Sequence, residues 1–188
     1  MVFIGNAVVP GSSPPPTASP TAPWTLIDSV TVAASGDNVD FTAIPGTFRH
    51  LMMLGRLVGF DSDGDDFMGL QMNGETGAAY DGWWMIPSGG AAVSDQYLGA
   101  TSLVMGDVLG SADPQYPVAP GDFAVWFLNY ASALWLPSMF GTSGTYHRGQ
   151  TFGGSYTGAG GAITSLHILD QTGGTGFVAG GVVDLYGI

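Results

Sequence analysis

Cysteine and lysine are both absent from this 188-residue chain, and glutamate occurs once, at Glu75. Without cysteine there is no disulfide and no thiolate metal site, and the redox compartment is left open. Positive side-chain charge rests on Arg49, Arg56 and Arg148, against fifteen acidic residues, for a formal net charge of −12. So few cations can displace few counterions from a phosphate backbone, and an anionic membrane surface repels such a chain. Neither nucleic acid nor membrane is expected as a partner. No run approaches the ~18 apolar residues of a membrane span. The opening MVFIGNAVVPG lacks the basic region of a signal peptide. The chain is therefore expected to be made in the cytoplasm, and used there or assembled there into something larger.

Charged residues make up only 10% of the chain, where an average soluble domain has about 25%. Apolar residues reach 45% and aromatics 12%, enough for one sizeable core. A surface poor in charge and rich in aromatics is that of a protein covered by other subunits, since the centres of interfaces are depleted in charge.

Two regions follow from the pattern. Residues 1–23 form an arm. Its tip is apolar (Val2, Phe3, Ile4, Val8, Val9), and six of the twelve prolines follow within residues 10–23. Such a stretch cannot build a core and favours polyproline II. At ~3.1 Å per residue it would span roughly 40 Å. The tip is then a partner-binding anchor on a tether, able to add as a strand to a partner's sheet or to fill a groove.

Residues 24–188 read as one all-β domain, an antiparallel β-sandwich of jelly-roll type. About ten short strands are expected, separated by Gly, Pro and Asn turns, with no persuasive helix. Residues 25–34 place Leu26, Val30 and Val32 on one face and pair as a hairpin with residues 39–41. Residues 48–58 are apolar on both faces, as are 123–128. Asn73-Gly74 signals a tight turn. Residues 88–92 read as a loop, 134–140 as a strand held at an edge or bulge by Pro137, and 146–156 as a Gly-rich aromatic stretch. The last strand, 177–188, sets Val183 and Leu185 on one face and Val182, Asp184 and Tyr186 on the other. Gly180 and Gly181 mark a bend.

Catalytic signals are lacking. There is no GxSxG elbow, and a glycosidase pair would have to be built from aspartates. No enzymatic activity and no cofactor are expected. Asp61, Asp63 and Asp65 have the spacing of the first three calcium-loop ligands. Asp66 then stands where the loop needs glycine, and Met72 where it needs glutamate, so an EF-hand is not expected; the reading is a solvated loop, with a looser calcium site on the bunched carboxylates as the alternative. His50, His147 and His167 are far apart in sequence. Trp83, Trp84, Trp126 and Trp135 are candidate interface aromatics. With Tyr80, Tyr97, Tyr116 and Tyr130 they could instead line a carbohydrate platform, though core and subunit interface is the more economical account.

Four segments, in this order and spacing, carry a resemblance: LIDSVTV at 26–32, VDFTAIPGTFRHL at 39–51, LQMNGETGAAY at 70–80 and FVAGGVVDLYGI at 177–188. Together the domain resembles a family of bacteriophage and prophage virion proteins with β-sandwich folds, found in head-decoration, head-fibre and tail-associated roles. The resemblance implies a virion structural protein. The expectation is a capsid decoration protein on the outer capsid surface, a homotrimer that also contacts the major capsid protein. A tail-fibre, receptor-binding or baseplate module is the alternative. The arm lies outside the resemblance.

Overall fold

The computed structural model describes residues 24–60, 65–88, 91–109, 121–131, 138–145, 148–158, 161–171 and 176–188. The arm, Asp61, Asp63, Tyr116, Trp135, Pro137 and His147 lie outside the described residues, and of Asp65 only the backbone is described. The described part is all-β, with two antiparallel sheets packed as a sandwich.

Twelve strands are described: β1 (Thr25–Thr31), β2 (Val39–Phe41), β3 (His50–Phe60), β4 (Asp65–Met72), β5 (Tyr80–Ser88), β6 (Ala91–Ala100), β7 (Leu103–Leu109), β8 (Gly121–Leu128), β9 (Ser138–Thr145), β10 (Arg148–Tyr156), β11 (Leu166–Asp170) and β12 (Phe177–Gly187). Eight form the larger sheet, in the order β1-β12-β3-β8-β9-β10-β5-β6. Four form the smaller, β2-β11-β4-β7. The smaller sheet covers the inner face of the larger one, with β7 lying against β9, β10, β5 and β3.

Two-residue alternation sorts the side chains. On β3, Leu51, Met53 and Leu57 point inward and are fully buried. Phe123, Val125 and Phe127 do the same on β8, and Val183 and Leu185 on β12. Phe41, Met68, Leu70, Leu103 and Ile168 meet them from the smaller sheet. The closing strand is thus interior to its sheet, clasped between β1 and β3. Its expected bend is present: residues 179–181 bulge out of register with β3, Gly180 takes φ 105°, and Val32 exchanges backbone bonds with Gly180 and Gly181 across the bulge.

Several expectations are corrected. Residues 25–34 and 39–41 do not form a hairpin: β1 pairs with β12 in the large sheet and β2 with β11 in the small one. The turn between them carries the chain across the sandwich. Leu26 does not share the inward face of Val30 and Val32. The β1–β12 register slips between Leu26 and Asp28, so Ile27 packs against the core and Leu26 is exposed. One extra residue on a strand reverses the face of everything before it. Of the strand expected at 134–140, residues 138–140 open β9 (Ser138–Thr145), which lies between β8 and β10 rather than at an edge, and 134–137 lie outside the described residues. Of the loop expected at 88–92, Ser88 ends β5 and Ala91 and Ala92 begin β6, the strand at the end of the large sheet, and residues 148–156 form β10.

The Asn73-Gly74 turn is tight, with φ of 54° and 67° and a Glu75 N–H to Met72 C=O bond of 3.0 Å. It does not close a hairpin, since β4 and β5 belong to different sheets. Asn73 holds the neighbouring segment instead. Its Oδ1 accepts from Thr164 N at 2.7 Å, Thr164 Oγ1 at 3.2 Å and Ser165 N at 3.3 Å. Its Nδ2 donates to the Ala162 carbonyl at 3.1 Å.

Candidate binding face

The outward face of the large sheet carries the most distinctive surface. Cross-strand register aligns one row over all eight strands: Leu26, Tyr186, Met52, Trp126, Phe140, Gly153, Trp83 and Gln96. Side chains in register on one face are direct neighbours, so scattered residues become a continuous aromatic strip. Trp126 and Phe140 lie with ring planes 5° apart and centroids 6.1 Å apart. Gly153 leaves a gap that the Trp83 ring occupies: a Cβ there would sit 3.1 Å from three of its atoms. Phe140 is 47% exposed and Trp83 42%. The next row outward adds exposed Leu54 and Met85, and the one beyond adds Val182.

Trp24, the first described residue, joins this strip. Its ring meets Trp126 edge-on at 5.0 Å and Tyr186 at 6.5 Å. Trp126 stands on β8, three strands from β1. The Trp24 side chain therefore reaches across the outer face toward the middle of the sheet.

Polar groups border the strip. Arg56 donates to Asp122 through Nε at 2.7 Å and Nη2 at 3.1 Å, both side chains being largely exposed. The guanidinium hydrogen bond holds the Asp122 carboxyl below its usual range, and Asp122 in turn raises Arg56. Asp184 accepts from Ser29 Oγ at 2.6 Å, and Asp81 accepts from Gly99 N at 2.8 Å. Beyond Trp83 the strip runs into a shallow groove of about 470 Å³ bordered by Asp81, Trp83, Gln96 and Leu98. Leu98, on edge strand β6, is 84% exposed.

The aromatic candidates divide. Trp83 and Trp126 share the strip, with β9 and β10 between them. Trp84 faces the opposite way, packed against the core with its ring 5.8 Å from Phe67. Trp83 and Trp84 cannot serve one surface, because adjacent strand residues point to opposite faces. Nor do the described tyrosine candidates, Tyr80, Tyr97 and Tyr130, form a platform. Tyr80 is buried: its hydroxyl accepts from Met72 N at 2.8 Å and donates to the Glu75 carbonyl at 3.0 Å. Tyr97 accepts from Val104 N at 2.7 Å, and Tyr130 is buried with its hydroxyl bonded to the Pro45 carbonyl. Burial pushes the Tyr80 and Tyr97 phenols up to about 12.

His50 and His167, the two described histidines, do not converge. His50 Nδ1 accepts from Asn129 N at 3.1 Å, while His167, on β11 of the other sheet, pairs with Asp40 at 2.7 Å. Among the described residues no group of three or more His, Cys, Asp or Glu is placed to hold a metal ion. Sequence reasoning missed Trp24, Leu26, Met52, Phe140, Gly153 and Tyr186 as parts of one face. Alternation alone pairs outward residues within a strand, and the row exists only once strand order and register are known.

No protein-family model matches the chain, and neither the curated proteins nor the solved structures give a match.

Proposed function

We propose that this protein is a structural subunit of a bacteriophage virion, and that it serves as a capsid decoration protein on the outer shell. The observation that carries the reading is the outward face of the large sheet. Large apolar side chains gather there (Leu26, Leu54, Trp83, Met85, Phe140, Val182) in a chain that has little charge to keep its surface in water. Exposed apolar concentrations of this kind mark contact surfaces. The resemblance of the four sequence segments to virion β-sandwich proteins points the same way.

The work proposed is mechanical. Copies of the sandwich associate as a homotrimer over a junction of major capsid proteins, and the apolar tip of the arm engages the shell. The gain comes from apolar burial, partly offset by ordering the arm. The net negative charge keeps decorated particles apart. Deleting residues 1–23 is expected to abolish binding to undecorated capsids while leaving the domain folded, as judged by circular dichroism. Normal binding by the truncated chain would sink the tether.

One observation favours a second reading. A flat, half-exposed aromatic strip suits stacking on sugar rings, as a receptor-binding or tail-fibre module would require. A glycan array separates the two. Strong binding that Trp83→Ala removes supports the tail reading; no glycan binding, with many copies on the head of the intact particle, supports decoration.

A further inference from the structure

We propose that Asn73 is a covalent modification site: its side-chain amide is lost as ammonia through attack by the Gly74 backbone nitrogen, at a rate set by the release of Asn73 from residues 162–165. The step involves one chain and water, so it goes beyond the virion reading and is tested without any capsid.

The sequence supplies the reacting pair. Of the four asparagines, Asn6, Asn38, Asn73 and Asn129, Asn73 alone precedes a glycine. A side chain on the following residue hinders approach of its nitrogen to Cγ, and glycine has none. Gly74 is exposed, and a Cβ built on it would meet no atom within 4 Å. The Gly74 nitrogen gives its proton to hydroxide and attacks Asn73 Cγ. The N–Cγ bond forms, the Cγ–Nδ2 bond breaks, and Nδ2 takes a proton from water and leaves as ammonia. Water then opens the five-membered imide at one of its two carbonyls. The product is aspartate, or isoaspartate with the backbone running through the side-chain carbon. An amide and water have become an acid and ammonia, and nothing is oxidised.

The tertiary structure restrains this pair. Asn73 Oδ1 accepts from Thr164 N at 2.7 Å, and Nδ2 donates to the Ala162 carbonyl at 3.1 Å. The Tyr80 hydroxyl pins the turn itself, accepting from Met72 N at 2.8 Å and donating to the Glu75 carbonyl at 3.0 Å. Ring closure requires Cγ to rotate onto the Gly74 nitrogen, so both side-chain bonds break first. Two hydrogen bonds of ordinary net strength leave the amide free for roughly one part in 5 to one part in 150 of the time. The backbone bond from Asn73 N to the Ser165 carbonyl, 3.0 Å, can stay in place meanwhile.

The product does not fit the place left for it. A carboxylate has no proton to give the Ala162 carbonyl and sets two oxygens against each other. Isoaspartate also lengthens the backbone in a turn that needs φ of 54° and 67°. The release is therefore one-way. It loosens the segment that carries Ile163, a fully buried core residue.

The test uses the full-length chain, warmed at mildly alkaline pH, folded and in parallel unfolded in urea. Peptide mass spectrometry with electron-transfer fragmentation follows each asparagine and separates aspartate from isoaspartate. In urea, Asn73 is expected to convert ahead of the other three. Folding is expected to slow it by about 5- to 150-fold. Equal rates in the two states overturn the proposal, because the tertiary bonds then guard nothing. Slowing by about a thousandfold or more, the scale of global unfolding, overturns it too, since the amide is then never released on its own. Asn73→Asp reports on the product. At neutral pH its urea midpoint should fall below that of the parent, and its Thr164 amide should exchange faster with solvent. A variant equal to the parent in both would overturn the one-way step.

Discussion

Replacing Asn73 tests the clasp that ties the β4–β5 crossing to the segment before β11. Asn73→Gly removes both short side-chain bonds, to Thr164 N at 2.7 Å and to the Ala162 carbonyl at 3.1 Å. At about 1 kcal/mol each, they sum to about 2 kcal/mol. The contacts at 3.2 and 3.3 Å share the same oxygen and add little. Asn73→Ala loses the same bonds and also forces a Cβ-bearing residue without a local polar partner into φ 54°. That costs about 1 kcal/mol more, for a total of about 3 kcal/mol. Urea unfolding of both variants against the parent measures these differences at constant slope. The ordering is as informative as the sizes. Equal destabilisation by Gly and Ala would refute the backbone part of the reasoning, and two variants within about 0.5 kcal/mol of the parent would refute the clasp.

Leu185→Ala, fully buried opposite Met53, should cost about 3 kcal/mol in the same assay. Ile27→Ala should cost more than Leu26→Ala, because the slip in β1 turns Ile27 rather than Leu26 toward the core; the reverse order would contradict that register. Alkaline unfolding should set in as pH rises from 10 toward 12. Tyr80 and Tyr97 stay neutral in the folded state up to about 12, whereas the unfolded chain ionises near 10. Their contribution is whole below pH 10 and is lost as pH climbs through 12. A melting temperature unchanged between pH 9 and pH 11.5 would rule this out.

The composition and short-range pattern carry the class of the fold. Alternating apolar residues, frequent turn residues and the lack of any helical period require strands, and 45% apolar content requires that they pack in layers. Strands such as β3, β7, β8 and β12 are legible because most of their inward positions bear a large side chain. β9 and β10 are hard to read for the opposite reason. Gly141 sits where the Phe152 ring lies across it, and Gly153 where the Trp83 ring does, so a glycine there marks a neighbour's bulk rather than a turn. β6 is obscured in another way. As an edge strand with much of its surface in water, it needs no strict alternation.

The binding face lies one level further from the chain. Leu26, Tyr186, Met52, Trp126, Phe140 and Trp83 come from six strands spread over most of the domain. Each was readable as apolar and on a strand. Their alignment depends on which strands are neighbours and on the register of every pair, including the slip in β1 and the bulge at Gly180. Local propensity acts over a few residues and stops at the strand. Pairing between strands remote in sequence is chosen by what the whole sandwich can bury at once. Only that choice turns six separated side chains into one surface.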